Sequence, residues 1–202
     1  ACGSGSSSPS PKVEQNPVPD LIAIFPSSAP AGSRDLVLTV SGYNFISGSV
    51  VQWGGSARTT VFVNSGQLTA AIPASDVSSV RSVNVTVFNP APGGGSSGGK
   101  SFSVTPVLPL SLLTLSLPDA SPSRAYHYPL QAEGGIPPYS WSVTSGSLPD
   151  NLSLSSGGVI SGTVSAVSGE KIYRFDVELK DYAYQPKIQK QSFTILVRTG
   201  KL

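Results

Sequence analysis

The chain has 202 residues, enough for one large domain or two ordinary ones with real cores. Charged residues make up 12%, well below the roughly 25% typical of soluble domains, while Gly (21) and Pro (18) abound beside Ser, Thr and Val, as in secreted, turn-rich β proteins. A formal charge of +2, from 13 basic and 11 acidic residues scattered without clusters, excludes a phosphate-tracking stripe and with it nucleic acid as a partner.

The first seventeen residues, ACGSGSSSPSPKVEQNP, hold no patterned apolar residue and cannot offset the entropy of ordering themselves, so they read as a tail or tether (1–17). Its one cysteine, Cys2, excludes an internal disulfide, and the lack of any methionine reads as a processed form. From residue 18 to 105, short alternating segments bounded by Gly, Pro, Asn and Ser predict seven strands: 20–25, 35–42, 49–53, 58–63, 67–72, 82–89 and 100–105. In SVNVTVF, Val83, Val85 and Val87 share one face and Asn84 and Thr86 the other, the period-two pattern of a half-buried strand. Seven such strands predict a β-sandwich. A Pro-containing linker follows at 106–109, then a second β block at 110–202.

In the second block strands are expected at 110–117, 126–133, 139–144, 159–164, 173–181 and 191–198. YRFDVELKD is the clearest: Tyr173, Phe175, Val177 and Leu179 face inward, and Arg174, Asp176, Glu178 and Lys180 outward. Its register should be fixed and its place central in a sheet. The longest apolar run, VLPLSLLTLSLP at 107–118, is too short and proline-broken to span a membrane, so any membrane attachment must be through a covalent anchor. The fold class is therefore all-β, two tandem sandwiches behind an extended N-terminal tail.

Several stretches carry a family resemblance. IFPSSAPAGS, LTVSGYNF, GSVVQWGG, QLTAAIPASD and VNVTVFNPAPGGGSSGGKSFSV together resemble the IPT/TIG family of immunoglobulin-like domains over Val18 to Thr105. Gly42 and Asn44 there suit a tight turn of positive φ, and Trp53 a core position. GGIPPYSWSVTSGSLPDNLSLSSGGVISGTV, followed by YRFDVELKD and QSFTILV, resembles a bacterial putative-Ig module of the cadherin-like group over Leu110 to Val197, with Trp141 as core aromatic. DYAYQPKIQ at 181–189 departs from that pattern, being more aromatic and basic than a plain polar loop. Ala1 and Cys2 ahead of GSGSSSPSP are similar to a bacterial lipobox and lipoprotein leader, which implies acylation of Cys2. A processed lipoprotein begins at the cysteine itself, so the alternative is a thiol free for intermolecular pairing.

Catalytic signals are weak. Gly93, Gly95 and Gly98 satisfy GxGxxG, and Gly94, Ser96 and Gly98 satisfy GxSxG, but neither lies between a strand and a helix, as phosphate cradling or a nucleophile elbow requires. His127 is the only histidine, and alternation sets it opposite Tyr126 and Tyr128 on a strand surface. One His and one Cys far apart make no zinc site, and Asp119, Asp176, Glu178 and Asp181 lack the clustering of a calcium site. No cofactor, metal or catalytic activity is expected.

Contact surfaces are the remaining candidates. Val13, Val18, Leu21, Ile22 and Ile24 could complete a neighbour's sheet as an assembly tail. Tyr182 and Tyr184 with Lys187 suit a sugar-stacking platform or a protein-contact patch. The expected protein is extracellular or on the bacterial cell surface, structural or adhesive. Its expected partners are proteins, including copies of itself in a homo-oligomer or filament. Polysaccharide binding is the alternative.

Overall fold

The computed structural model describes residues 13–198, almost wholly strands and loops, with one short 3-10 turn at Ala74–Val77. The chain divides into two compact units. The first holds the residues up to Ala29 with Leu36–Ile72 and Arg81–Val104, and the second Pro30–Asp35, Pro73–Val80 and the chain from Thr105 on.

The first sandwich contains β1 (Asp20–Phe25), β2 (Ser28–Pro30), β3 (Leu36–Tyr43), β4 (Val50–Trp53), β5 (Ser56–Ala57), β6 (Thr60–Asn64), β7 (Gln67–Ile72), β8 (Arg81–Asn89), β9 (Gly95–Ser96) and β10 (Lys100–Thr105). One sheet runs β1-β3-β7-β6 and the other β2-β10-β8-β4-β5, with β9 beside β8. The alternation legible in β8 is realised: Val83, Val85 and Val87 are buried while Asn84 is exposed. They pack among Leu38, Val40, Leu68, Trp53 and Phe102, and the Trp53 and Phe102 rings lie 4.8 Å apart between centroids. The expectation for the turn after β3 is half right. Asn44 has φ 63°, but Gly42 is demanded by a close approach, since a Cβ there would collide with the Asp20 carbonyl oxygen.

The second sandwich contains β11 (Ser111–Leu112), β12 (Ala125–Pro129), β13 (Ala132–Glu133), β14 (Ser140–Gly146), β15 (Leu152–Leu154), β16 (Val159–Thr163), β17 (Lys171–Lys180) and β18 (Ile188–Val197). Its sheets run β14-β17-β18, β12-β16-β15 and β11-β13. β17 is central, as its alternation predicts: Tyr173, Phe175, Val177 and Leu179 are buried against Phe193, Ile195 and Val197 of β18. Trp141 closes this core, and Gly158 lies so near that a Cβ would come within 2.6 Å of the indole nitrogen.

Two expected strands are shorter than their apolar patterns. Of 110–117, only Ser111–Leu112 is a strand, and of 126–133 the chain leaves the ladder after Pro129, which has no N–H to donate. Gln131 then serves both pieces: its N–H donates to Thr114 Oγ1 and its carbonyl accepts from Leu113 N–H. Leu113 and Leu115 are left exposed, which is why the leucine run cannot be a buried strand.

Candidate interaction surface

The stretch expected to act as an assembly tail is divided by the fold. Leu21, Ile22 and Ile24 belong to β1, which pairs with β3, and Leu21 is 3% exposed in its own domain's core. Val13, Val18 and Ile22 remain exposed. Between them the backbone is clamped at Asn16, whose N–H donates to Pro92 O (2.6 Å), whose side chain donates to Pro90 O (2.8 Å) and whose carbonyl accepts from Gly94 N–H (2.7 Å). The organiser beneath is Asn89, which is fully buried. Its amide donates to Pro17 O and Asn44 O, each at 2.8 Å, and its carbonyl accepts from Ser49 Oγ at 2.6 Å. Every polar atom of that side chain is thus used. Cys2 lies outside the described residues.

The aromatic loop between β17 and β18 is organised by a buried carboxylate. Asp181 accepts from Lys187 N–H (2.7 Å), Ile136 N–H (3.1 Å) and Ala183 N–H (3.3 Å), and its own N–H donates to Lys187 O. These bonds hold Tyr182 and Tyr184 at 49% and 61% exposure. Within the same compact unit the Arg34 guanidinium lies 4.1 Å from the Tyr182 ring centroid and its Nε donates to Tyr182 O, so one face of that ring is covered. Lys187 is exposed beside them.

A larger surface lies on the outward side of the sheet β1-β3-β7-β6. Register places Phe25, Thr39, Thr69 and Val61 in one row across the four strands. Val37 pairs with Ala71 in the next row, and Ser41 sits between Ala23 and Gln67 on the other side. Phe25, Val37, Tyr43 and Val61 are exposed by 76%, 64%, 64% and 58%, and none of these outward side chains carries charge. Asp20, opposite Tyr43 in the register and exposed like it, is the one charged side chain that these four strands turn to this side, at its rim.

The outward side of β14-β17-β18 is built oppositely. Ser142, Glu178 and Lys190 share a row. Glu178 is bound by Lys180 (2.7 Å) and Lys190 (3.2 Å), and those two bonds hold its carboxyl below the usual carboxylate range. Asp176, two residues along, accepts from Ser192 Oγ at 2.6 Å.

These two sandwiches correspond to two known families. Residues 19–104 match the family described as IPT/TIG domain, and residues 106–198 the family described as Putative Ig domain. The chain is an IPT/TIG domain followed by a putative Ig domain. Comparison with curated proteins gives no match. Among solved structures, the protocadherin GammaB4 extracellular domain is similar at 8% identity, covering 90% of this chain and 33% of that one with a TM-score of 0.40. Cadherin domains 3–6 of protocadherin Gamma B2 give 14%, 90%, 52% and 0.42, and the I9–I11 tandem of titin 13%, 92%, 66% and 0.40. This chain therefore spans a third to two thirds of those chains. All are distant, and the assignment of domains rests on the family matches.

In the IPT/TIG domain the glycine-rich loop has a structural task. Gly93 bridges to Asn16, Gly95–Ser96 forms β9, and Gly94 is packed so closely on the Asn89 and Pro90 carbonyls that no side chain fits. In the second Ig-like domain His127 is exposed on β12 opposite Ser161, while Tyr126 is buried and donates to Pro118 O at 3.1 Å. Burial, then Tyr128 and Asp119 nearby, pushes the Tyr126 hydroxyl up to about 12. Among the described residues no three His, Cys, Asp or Glu side chains come together as a metal site, and no helix is long and apolar enough to cross a membrane.

Sequence reasoning named Tyr182, Tyr184 and Lys187 but missed Asp181 as their organiser and missed the uncharged face altogether. For Asp181 the available signal was one carboxylate inside an otherwise aromatic and basic loop. For the face it was the absence of Lys, Arg, Asp and Glu from VLTVSGY and QLTAAI together.

Proposed function

We propose that this protein works outside the cell, on a bacterial surface, as a non-catalytic structural or adhesive module, and that the IPT/TIG domain supplies its principal protein contact. The observation that carries this reading is the outward face of β1-β3-β7-β6, which holds a single charge, Asp20, at its rim. A surface meant only for water carries charge among its outward residues, as the other domain's does, whereas contact cores are depleted of charge and enriched in aromatic rings. Phe25 and Tyr43 meet that description. The second domain, with its charged outer face, acts as a spacer.

Acylation of Cys2 would tether the module to a membrane, and the exposed Val13 and Val18 then lie between anchor and domain. Mass spectrometry of the N-terminal peptide from native cells distinguishes a diacylglyceryl thioether from a disulfide or free thiol.

The contact itself is tested by retention of beads bearing the full chain on isolated native envelope. Thr39→Lys with Thr69→Lys is expected to abolish most of that retention, and unchanged retention would remove the reading. A polysaccharide contact would instead use Tyr184 and Lys187 on the Asp181-held loop. Retardation of the chain in polysaccharide gels, lost on Tyr184→Ala, would favour it.

A further inference from the structure

The loop that Asp181 organises borders a cavity of about 840 Å³, within the roughly 300–1,000 Å³ of sites that take small molecules. All of its walls belong to the second compact unit. Resting on the second reading above, in which Tyr184 and Lys187 meet a polysaccharide, we infer that the cavity takes an acidic one, seating a carboxylate-bearing sugar ring on Tyr184 with its carboxylate on the Lys187 ammonium. Three observations define that ligand.

The first is charge. Asp181 is the only carboxylate on the cavity wall, and it is buried, its oxygens already accepting from the N–H groups of Lys187, Ile136 and Ala183. Lys187 is exposed on the same wall and pairs with no carboxylate among the described residues. The charge left on offer is therefore one cation, which selects an anion.

The second is the chemistry around that cation. The Tyr184 ring is 61% exposed and, unlike Tyr182, carries no cation over its face among the described residues, so it is free to pack against the C–H face of a pyranose. Gln185 and Gln189 share its wall, and Gln189 donates through Nε2 to Leu110 O at 3.0 Å, leaving its Oε1 to accept from a sugar hydroxyl. A purely apolar ligand would use neither amide, and a simple anion would have no use for the ring.

The third is rigidity. Gly135 N–H donates to Leu108 O (2.8 Å), Tyr182 N–H to Ile136 O (2.6 Å) and Tyr184 N–H to Gly32 O (2.9 Å). The wall segments are thus tied together before a ligand arrives, and binding orders little that was loose.

Retention of the full chain on beads of polygalacturonate and of alginate, two polymers of carboxylated pyranoses, tests this at about 0.15 M salt, where long-range attraction is screened. The same beads with their carboxylates methyl-esterified are the control. Binding to at least one acidic polymer is expected, about tenfold or more weaker after esterification. Lys187→Gln should reduce binding to the esterified level, and Tyr184→Ala should weaken it on the acidic beads. Both should keep the fold by near-ultraviolet circular dichroism, because Asp181 holds the Lys187 backbone and not its side chain. Lys100→Gln removes the same charge from β10 in the first domain and should leave binding unchanged.

A chain retained on neither acidic polymer would overturn the inference. So would retention that Lys187→Gln and Lys100→Gln lower alike, the mark of diffuse attraction. Equal retention on esterified beads, lost on Tyr184→Ala, would remove the acidic ligand and leave the polysaccharide reading standing. Retention that Tyr184→Ala leaves intact on every bead would remove both.

Discussion

The outward faces of β1-β3-β7-β6 and β14-β17-β18 are made from the same kind of scaffold and serve opposite ends. Across β17 the outward positions are Arg174, Asp176, Glu178 and Lys180, with Glu178 ion-paired to Lys180 and Lys190 and Asp176 accepting a hydrogen bond from Ser192. Across β3 they are Val37, Thr39, Ser41 and Tyr43. Both strands bury their alternate residues equally well, so the difference owes nothing to the folding of either core. An outward face is free to follow function, and only one of the two has the composition of a surface prepared for water.

Disrupting a core should show that the two domains stand separately. Phe102→Ala removes the ring packed on Trp53 and is expected to cost about 3–5 kcal/mol in the IPT/TIG domain alone. Urea titration followed by Trp53 fluorescence, in a Trp141→Phe background, should show the lowered midpoint. The same titration read at Trp141, in a Trp53→Phe background, should not move.

A smaller effect is expected at the polar clamp. Asn89→Ala strands Ser49 and the Pro17 and Asn44 carbonyls, a loss of about 1–3 kcal/mol. It should also release the segment before β1. Limited proteolysis would then cut between Val13 and Pro19 well before the domain unfolds, and an uncut segment would contradict the clamp.

The charged face gives a pH signature that the uncharged one lacks. Glu178 is held below its ordinary value of 4.5, so its contribution is complete above that pH and is lost as the pH falls through the lowered value. Unfolding of the second domain should therefore become easier in acid. Glu178→Gln should flatten that dependence, leaving the first domain's unaffected.

What the sequence disclosed follows from how far each signal reaches. Alternation is local, so Val83-Val85-Val87 and Tyr173-Phe175-Val177-Leu179 were legible, and the two family patterns supplied the order of the sandwiches. The leucine run after Pro109 misled because its pattern says nothing of a partner, and the strand β13 that pairs with it is only Ala132–Glu133 long. The loop tyrosines were visible, but their organiser was not, because Asp181 acts on backbone groups of Ile136, Ala183 and Lys187 rather than on any side chain a motif would show. The uncharged face was hidden for a related reason. Phe25, Thr39, Thr69 and Val61 come from four separate stretches, and only the strand order β1-β3-β7-β6 sets them side by side. Val61, which looks like an ordinary strand residue in RTTVFV, is exposed because β6 is the last strand of its sheet.

The most direct test of the contact surface is the change in backbone amide resonances of the isotope-labelled full chain when isolated native envelope is added. The account predicts shifts and broadening confined to residues such as Thr39, Val37, Thr69 and Ala71, with Arg174 to Lys180 silent. Changes centred on β17, or spectra unaltered by the envelope, would contradict it.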